Sequence, residues 1–461
     1  MRIAETEGAA GLFESRSLVR IARYLTAMAG PVGSAFAQFI LSLILLHEMA
    51  PHAYGIFSLM LILSQFSWGV WTALFCAPLP ALLRDAAAAE KTRVIQQLMA
   101  ANLIGAAFAF VIFALIGRAL AIDWPAALLF AGYAAMALLR WFARAHAYAL
   151  GRQLAVTRSD LSYATIMMLA PLLLKVEPAD PLRMTAAALL IAATVGLLSF
   201  GPTFLRSQFV TVRPANARGY IHVWRQHSGW SLLGVVTTES TANAHAYLVT
   251  LLQGPAAFAP IAASSLLIRP FTVAMNAMME FERPRLALAV SAEGASTVQP
   301  AMRLFRLIML LIWAGTAGAA VLLLYLAPGA VFGTRYSFDF LAASGALWMG
   351  VGLARLMRAP ESAFLQAIGA FRRLAFASVV SGACSIVAVL VLLATLGTLA
   401  SLGGILIGEA VFGVMIWRQT RRSLAELDYV DLSPLGSGRG EMAVGQDSLL
   451  ASEVEQLQCP R

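Results

Sequence analysis

The chain has 461 residues, of which 60% are apolar and only 12% are charged, and its mean hydropathy is +0.76. Ordinary soluble domains carry roughly 25% charged residues, so this composition excludes a soluble globular enzyme. One helical crossing of a bilayer needs about 20 apolar residues, and a chain of this length holds on the order of a dozen crossings. The sequence therefore predicts an all-α polytopic membrane protein.

Apolar runs divide the chain into twelve predicted transmembrane helices. Their limits are Tyr24 to Leu46, Tyr54 to Leu79, Val94 to Ile116, Trp124 to Ala149, Ala155 to Leu174, Met184 to Leu205, Trp230 to Leu252, Ala256 to Met279, Leu304 to Ala327, Phe340 to Ile368, Leu374 to Leu396 and Leu399 to Trp417. A polar linker at 206–229 separates two six-helix lobes, 24–205 and 230–418, which we expect to enclose a central cavity. Residues 1–23 form a cytosolic N-terminal segment, and 419–461 form a cytosolic tail that we expect to be disordered.

Basic residues indicate how the chain is oriented. The formal net charge of +9 and the pI of about 9.9 would suggest nucleic-acid binding in a soluble protein. Here 22 Lys and Arg residues fall on the side of the N-terminus, whereas the opposite gaps hold four. Those four are Arg118, Lys175, Arg183 and Arg335. The positive-inside rule places both termini in the cytosol, and no nucleic-acid partner is expected.

The two predicted lobes show a weak internal repeat at an offset of 204 residues. The matching pairs are Pro51 with Pro255, Ala53 with Ala257, Tyr54 with Phe258, Pro80 with Pro284, and Leu82 with Leu286. Six helices per repeat keep both lobes in the same orientation, as in transporters built from parallel repeats. The repeat favours a two-lobed transporter.

Ionisable residues inside two predicted spans are candidates for the lining of that cavity, because such groups are costly in lipid. Arg140 and Arg144 share one face of the fourth span, with His146 near by. The tenth span carries three more on one face, at Arg355, Arg358 and Glu361. The alternative is that these side chains extend to the cytosolic headgroups.

Two further ionisable residues lie deeper in their spans. Glu239 is close to the middle of the seventh span, with Asn243 one turn later and His245 near by. Arg269 is in mid-span in the eighth, on a face with Thr272 and Asn276. Either Glu239 and Arg269 form a buried ion pair that fixes helix packing, or they line the transport path. In the second case Arg269 would hold a phosphate.

Polar and aromatic residues also recur on the first two spans. Ser34, Gln38 and Ser42 follow one another at four-residue spacing, and Ser64, Trp68 and Trp71 share a face. Such residues commonly serve helix packing. A Trp68 and Trp71 pair that faced the cavity would, however, suit stacking on sugar rings.

No catalytic or cofactor motif is present. The sequence lacks a P-loop, HExxH and GxSxG, so we predict neither a catalytic residue nor an enzyme. Cys76, Cys384 and Cys459 have no metal-ligand spacing. We expect no metal and no cofactor apart from a coupling cation, H⁺ or Na⁺.

Two short segments resemble a known family. They are Ala53 to Ser58 (AYGIFS), at the start of the second span, and Gln366 to Arg373 (QAIGAFRR), between the tenth and eleventh. With the six-plus-six layout, they resemble the polysaccharide-transporter (Wzx-like) branch of the multidrug/oligosaccharidyl-lipid/polysaccharide (MOP) flippase superfamily. The resemblance covers about residues 20 to 420 and implies a MATE-like fold.

The resemblance implies a flippase of the bacterial inner membrane that moves undecaprenyl-diphosphate-linked oligosaccharide to the periplasmic leaflet by alternating access, for exopolysaccharide, O-antigen or capsule. Its partners would be the polyprenyl-diphosphate-linked glycan, membrane lipids, a polysaccharide polymerase and glycosyltransferases. Parts of the superfamily are coupled to cations, and Glu239 is the candidate for that role here. The alternatives are a drug/cation antiporter of the same fold, a membrane polymerase or ligase, and a scaffold for a polysaccharide synthase.

Overall fold

The computed structural model describes residues 30–432 except 77, 80–81, 83–87, 175–179, 210–211, 294, 327–331 and 333–335. The predicted N-terminal segment 1–23, Pro80 of the internal repeat, and the tail beyond 432 lie outside the described residues. The described part of the chain is helical throughout and contains no β-strand. This agrees with the all-α class predicted from composition.

The first lobe contains six long helices, numbered here α1 to α6. They are α1 (Gly30–Glu48), α2 (Pro51–Trp71, continued by a π-helical turn at Thr72–Cys76), α3 (Ala88–Ala119), α4 (Trp124–Ala149), α5 (Gln153–Leu174) and α6 (Pro181–Leu198). Proline occupies the first turn of α2, α4 and α6, where its missing N–H costs no helical hydrogen bond. The side chains of Asp123 and Asp180 cap α4 and α6 by accepting backbone N–H bonds.

A linker of short helical pieces follows, at Pro202–Phe209 (α7), Pro214–Gly219 (3₁₀), Tyr220–Val223 (α8) and Trp224–Ser228 (π). The hydroxyls of Tyr220 and Ser228 both donate to the carbonyl of Leu74 in the π-turn that ends α2. Burial raises the pKa of Tyr220, so its hydroxyl keeps the proton that it donates. The linker is therefore attached to the end of α2.

The second lobe contains the remaining helices. They are α9 (Gly229–Gln253), α10 (Pro255–Ser265), a 3₁₀ turn (Leu266–Ile268), α11 (Arg269–Glu293), α12 (Ala295–Leu326), α13 (Phe338–Ala367), α14 (Phe371–Leu396) and α15 (Thr398–Leu432). Gly254 alone joins α9 to α10 and Gly397 alone joins α14 to α15. Both have φ of 86°, which glycine adopts without strain.

Ten of the described helical segments are long and apolar enough to cross a membrane. The fifth and seventh predicted spans, α5 and α9, are not among them. At 22 and 25 residues they are long enough to cross, but their polar residues lower their hydropathy. A second difference lies at the C-terminal end, where α15 continues to Leu432, beyond the predicted start of the disordered tail at 419.

Equivalent helices pack in the same pairs in both lobes. Within the first lobe, α4 packs against α3 and α6, and α6 packs against α5. In the second lobe, α13 packs against α12 and α15, and α15 packs against α14. This repetition supports the duplication that the 204-residue offset predicts. Between the lobes, α2 packs against α9 and α10.

Candidate site at the lobe interface

The lobes meet along a surface that we call the lobe interface. It is defined by Gln38, Gly55 and Gly69 of the first lobe and by Glu239, Pro255 and Arg269 of the second lobe. Of the residues predicted to line a cavity, Gln38, Glu239 and Arg269 lie on this surface. It is the candidate functional site.

Arg269 lies where the eighth span is interrupted. Helix α10 ends in a 3₁₀ turn, Leu266–Ile268, and Arg269 begins α11 directly before Pro270. Because proline has no N–H to donate, it weakens the regular hydrogen-bond ladder at this point, and 3₁₀ turns within helices often mark functional hinges. The Nη2 atom of Arg269 reaches across to the first lobe and donates to Oε1 of Gln38 over 2.8 Å.

The Arg269 guanidinium forms no ion pair with any carboxylate of the described chain. Gln38 is buried, and its Nε2 has no hydrogen-bond partner among the described residues. A guanidinium offers five N–H donors, of which Gln38 accepts one. The pair thus presents unused donors and a positive charge at the lobe interface, which are the requirements for binding an anion.

Glu239 occupies a different part of the lobe interface. Its Oε2 accepts a weak bond from Nδ2 of Asn243 at 3.4 Å, and its side chain packs beside Gly69 of α2. The ion pair between Glu239 and Arg269 considered from the sequence is therefore not formed, because each residue faces a different helix of the first lobe.

Arg140 and Arg144 are held inside the first lobe by one acid. Their guanidinium groups lie 2.5 and 2.7 Å from Oδ1 of Asp160 on α5, which is 1% exposed. Arg140 also donates from Nε to the hydroxyl of Ser159. The interpretation that these arginines extend to the headgroups is wrong, because both are buried against this carboxylate. We call this set the first-lobe clamp.

Arg355 and Arg358 form the equivalent set in the second lobe, the second-lobe clamp. Their Nε atoms each lie 2.7 Å from a different oxygen of Glu409 on α15. Glu361, predicted to face the cavity with them, instead pairs with Arg306 of α12. Each clamp holds two arginines and one acid, so each carries an excess positive charge.

The two tryptophans of α2 are placed differently from each other. Trp71 is buried in the first lobe, and its Nε1 donates to Oδ1 of Asn102 over 2.5 Å. The prediction of a tryptophan pair facing the cavity is therefore wrong for Trp71, whose polar atom and ring are both used in packing. Trp68 is half-buried and stacks on Trp141, with ring centroids 5.3 Å apart.

Trp141 was not singled out from the sequence, although it lies beside Arg140 in the same span. Its Nε1 donates to the hydroxyl of Thr72, and the guanidinium of Arg144 lies 4.8 Å from its ring centroid. The aromatic stack of α2 is thus joined to the first-lobe clamp. Arginine on a tryptophan ring is a favourable cation–π arrangement.

Thr272 and Asn276 follow Arg269 along α11. Asn276 is exposed, and the hydroxyl of Thr272 donates to the carbonyl of Ile268 in the preceding 3₁₀ turn. His245 is buried against Trp348, with ring centroids 5.3 Å apart. Among the described residues, no group of three or more His, Cys, Asp or Glu side chains is placed to hold a metal ion.

Sequence comparison finds neither a family model nor a curated protein that matches the chain. Structure comparison does find matches. The fold is MATE-like, because the solved structures that match are MATE transporters.

An inward-facing multidrug-resistance MATE transporter of the MOP superfamily superposes with a TM-score of 0.61 at 13% identity, covering 88% of this chain and 96% of that one. An outward-facing multidrug-resistance MATE transporter gives 0.60 at 14% identity, covering 89% and 96%. The eukaryotic MATE transporter AtDTX14 gives 0.58 at 14% identity, covering 89% and 99%. At these identities the likeness establishes the fold.

Proposed function

We propose that this chain is an alternating-access transporter that moves a polyprenyl-diphosphate-linked oligosaccharide across the bacterial inner membrane. The observation that carries the proposal is Arg269, a cation at the lobe interface of a MATE-like fold with no carboxylate partner among the described residues. A charge inside a membrane-spanning bundle is costly unless it is paired, so an unpaired arginine at this interface favours an anionic substrate.

The chemistry of the pair suits a diphosphate. The planar fork of a guanidinium donates two parallel hydrogen bonds to phosphate oxygens, and the free Nε2 of Gln38 supplies a further donor beside it. Each clamp adds an excess positive charge to its lobe. These charges would attract a polyanionic headgroup and would repel a cationic drug.

The two-lobed architecture supports alternating access. Contacts between lobes come from α2 against α9 and α10 and from Gln38 against Arg269. A substrate that replaced Gln38 as the partner of Arg269 would break a direct bond between the lobes. Binding of the headgroup would in this way be linked to separation of the lobes.

A deletion strain tests the proposal. Lipid-linked oligosaccharide would be extracted and assigned to a leaflet, with complementation by the wild type, Arg269→Ala or Arg269→Lys. We expect the deletion to trap complete units on the cytosolic leaflet. We also expect Arg269→Ala to fail to rescue, and Arg269→Lys to rescue in part, because it keeps the charge without the fork.

Arg418→Ala is the matched control, since Arg418 is an exposed arginine on α15. It should restore transport at equal expression. If lipid-linked units reach the periplasm in the deletion strain and only their polymerisation fails, the flippase proposal is wrong and a polymerase takes its place.

Glu239 supports a second candidate, a drug/cation antiporter. It is an acidic residue at the lobe interface, and its carboxylate forms no ion pair with a described residue. Efflux of a lipophilic dye cation from cells that overproduce the protein tests this candidate. Efflux that is abolished by Glu239→Gln and kept by Arg269→Ala would favour the antiporter, whereas absence of efflux would favour the flippase.

A further inference from the structure

A groove on the outside of the first lobe carries an inference that does not depend on the proposed substrate. The groove has a volume of about 530 Å³ and is formed by α5 and α6. Arg158, Ser162 and Thr165 follow one another at helical spacing and form a polar wall along α5. Ile166 of α5 and Val195 of α6 form the apolar wall, and Leu161 lies on the opposite edge of the polar wall.

The groove faces the membrane. Asp160 points into the first lobe toward α4, and the groove residues lie on other faces of α5. On that outer side Leu161, Leu169 and Leu172 are 46%, 48% and 58% exposed. Large apolar side chains exposed to this extent on a transmembrane bundle are covered by lipid tails. The polar wall of the groove is thus in contact with lipid, which is unusual for a membrane span.

The polar groups of this wall are unused. Arg158 is exposed and has no ion pair with a described carboxylate. Hydroxyls in these spans commonly bond to their own helix, as Ser199 does to Val195. No hydrogen bond to a described residue is found for Ser162 or Thr165.

Arg158 lies near the N-terminal end of α5. It is five residues after the start of α5, or about 8 Å along the helix at 1.5 Å per residue. A second cation is close, because Arg158 lies beside Gly201 at the turn before α7 and Arg152 lies over the ring of Phe204 in α7. Two cations near one membrane surface attract anionic headgroups.

We propose that this groove binds an anionic glycerophospholipid. Its phosphate accepts hydrogen bonds from Arg158, its glycerol and ester oxygens accept from Ser162 and Thr165, and one acyl chain lies along Ile166 and Val195. Bulk phospholipid is preferred to a polyprenyl phosphate as the occupant because occupancy follows concentration, and phospholipid forms the surrounding bilayer. The groove is thus a lipid site separate from Arg269.

Native mass spectrometry of the full-length protein tests the site. The protein would be equilibrated in micelles with equal mole fractions of phosphatidylglycerol and phosphatidylcholine, and the bound lipids would be counted. We expect the wild type to retain phosphatidylglycerol selectively. Arg158→Gln should lower that selectivity about fivefold, which corresponds to the contribution of one arginine near a membrane surface. Thr165→Phe, which fills the groove and keeps the charge, should lower retention of this lipid.

Arg418→Gln is the matched control, because it removes an exposed cation of α15 and should leave selectivity unchanged. Equal loss in Arg158→Gln and Arg418→Gln would mean that general surface charge holds the lipid, and the site would be refuted. Displacement of phosphatidylglycerol by undecaprenyl phosphate at a mole fraction far below that of phosphatidylglycerol would refute the proposed occupant. Unchanged thermal unfolding of both Arg→Gln variants would establish that they are folded.

Discussion

The carbonyl oxygen of Pro255 occupies the space in which a β-carbon on Gly55 would lie. Gly55 is in the first turn and a half of α2, and Pro255 begins α10. The offset of 204 residues makes these two helices equivalent, and each begins with a proline, Pro51 or Pro255. The backbones of the two repeated helices therefore approach each other closely near their first turns. Only glycine, which has no β-carbon, permits that approach at position 55.

Gly55→Ala should weaken this contact between the lobes. Alanine is favoured over glycine in a helix by about 1 kcal/mol, so a loss of stability would have to come from the clash with Pro255. Overpacking of this kind costs about 1–3 kcal/mol. We expect a lower midpoint of thermal unfolding in detergent and reduced complementation of the deletion strain.

The control for this substitution is Gly315→Ala on α12, where a β-carbon would meet no atom within 4 Å. It should match or exceed the wild type in both measurements. A Gly55→Ala variant as stable and active as Gly315→Ala would show that the lobes do not need the close approach.

Helix positions were predictable because an apolar run of about 20 residues has one low-energy solution in lipid. The predicted Trp124 to Ala149 span, for example, is α4 with the same limits. The polarity of α5 was harder to interpret. Its Asp160 is in the lobe core, and Arg158 is on the opposite, membrane-facing side. The sequence alone does not show which face of this helix packs against protein and which faces lipid.

The sequence predicted where the ionisable residues lie along their helices better than it predicted which residues they pair with. The sequence indicated that Arg355 and Arg358 share a face, but their acid, Glu409, is 51 residues beyond Arg358 and on another helix. For both Asp160 and Glu409, the one feature of the sequence that could have indicated a role was an ionisable residue within an apolar run. Which cation each one meets depends on packing between helices, and a single sequence does not encode that in any local pattern.

Gln38→Glu should convert the candidate anion site into an ion pair. A carboxylate at this position would neutralise Arg269, which already lies within hydrogen-bond distance of the side chain. It would also repel a diphosphate, and a penalty of about 1.4 kcal/mol or more lowers binding at least tenfold. We expect the variant to be folded, since the new pair links the lobes, but inactive in complementation.

The control is Gln38→Asn, which keeps an amide and leaves the Arg269 charge unpaired. It should retain more activity than Gln38→Glu at equal protein level. Full activity of Gln38→Glu would mean that the charge of Arg269 is not needed for the substrate.

Asp160→Asn should destabilise the first lobe strongly. The substitution leaves Arg140 and Arg144 buried without their shared carboxylate, and breaking a buried ion pair in this way costs about 3–5 kcal/mol. We expect little folded protein and a much lower midpoint of thermal unfolding. Asp339→Asn, at an exposed position in the first turn of α13, should have little effect. Equal stability of the two variants would exclude the clamp as a structural element.

Trp68 and Trp71 should respond differently to substitution, although both lie on α2. Trp71→Phe removes the N–H that Asn102 accepts, and leaving a buried acceptor unpaired costs about 1–3 kcal/mol. We therefore expect Trp71→Phe to lower the midpoint of thermal unfolding while transport per folded molecule stays near the wild type. Trp68 is half-buried, and its stacking on Trp141 contributes about 0.5–1.5 kcal/mol.

Trp68→Ala is therefore expected to cost less stability than Trp71→Phe, and its effect on transport tests whether its ring contacts the glycan. Leaflet-resolved accumulation of lipid-linked oligosaccharide, divided by the amount of folded protein, separates the two effects. A loss of transport in Trp68→Ala alone would assign the half-buried ring to sugar stacking. If neither variant loses transport per folded molecule, the tryptophans of α2 serve packing alone, and other residues hold the glycan.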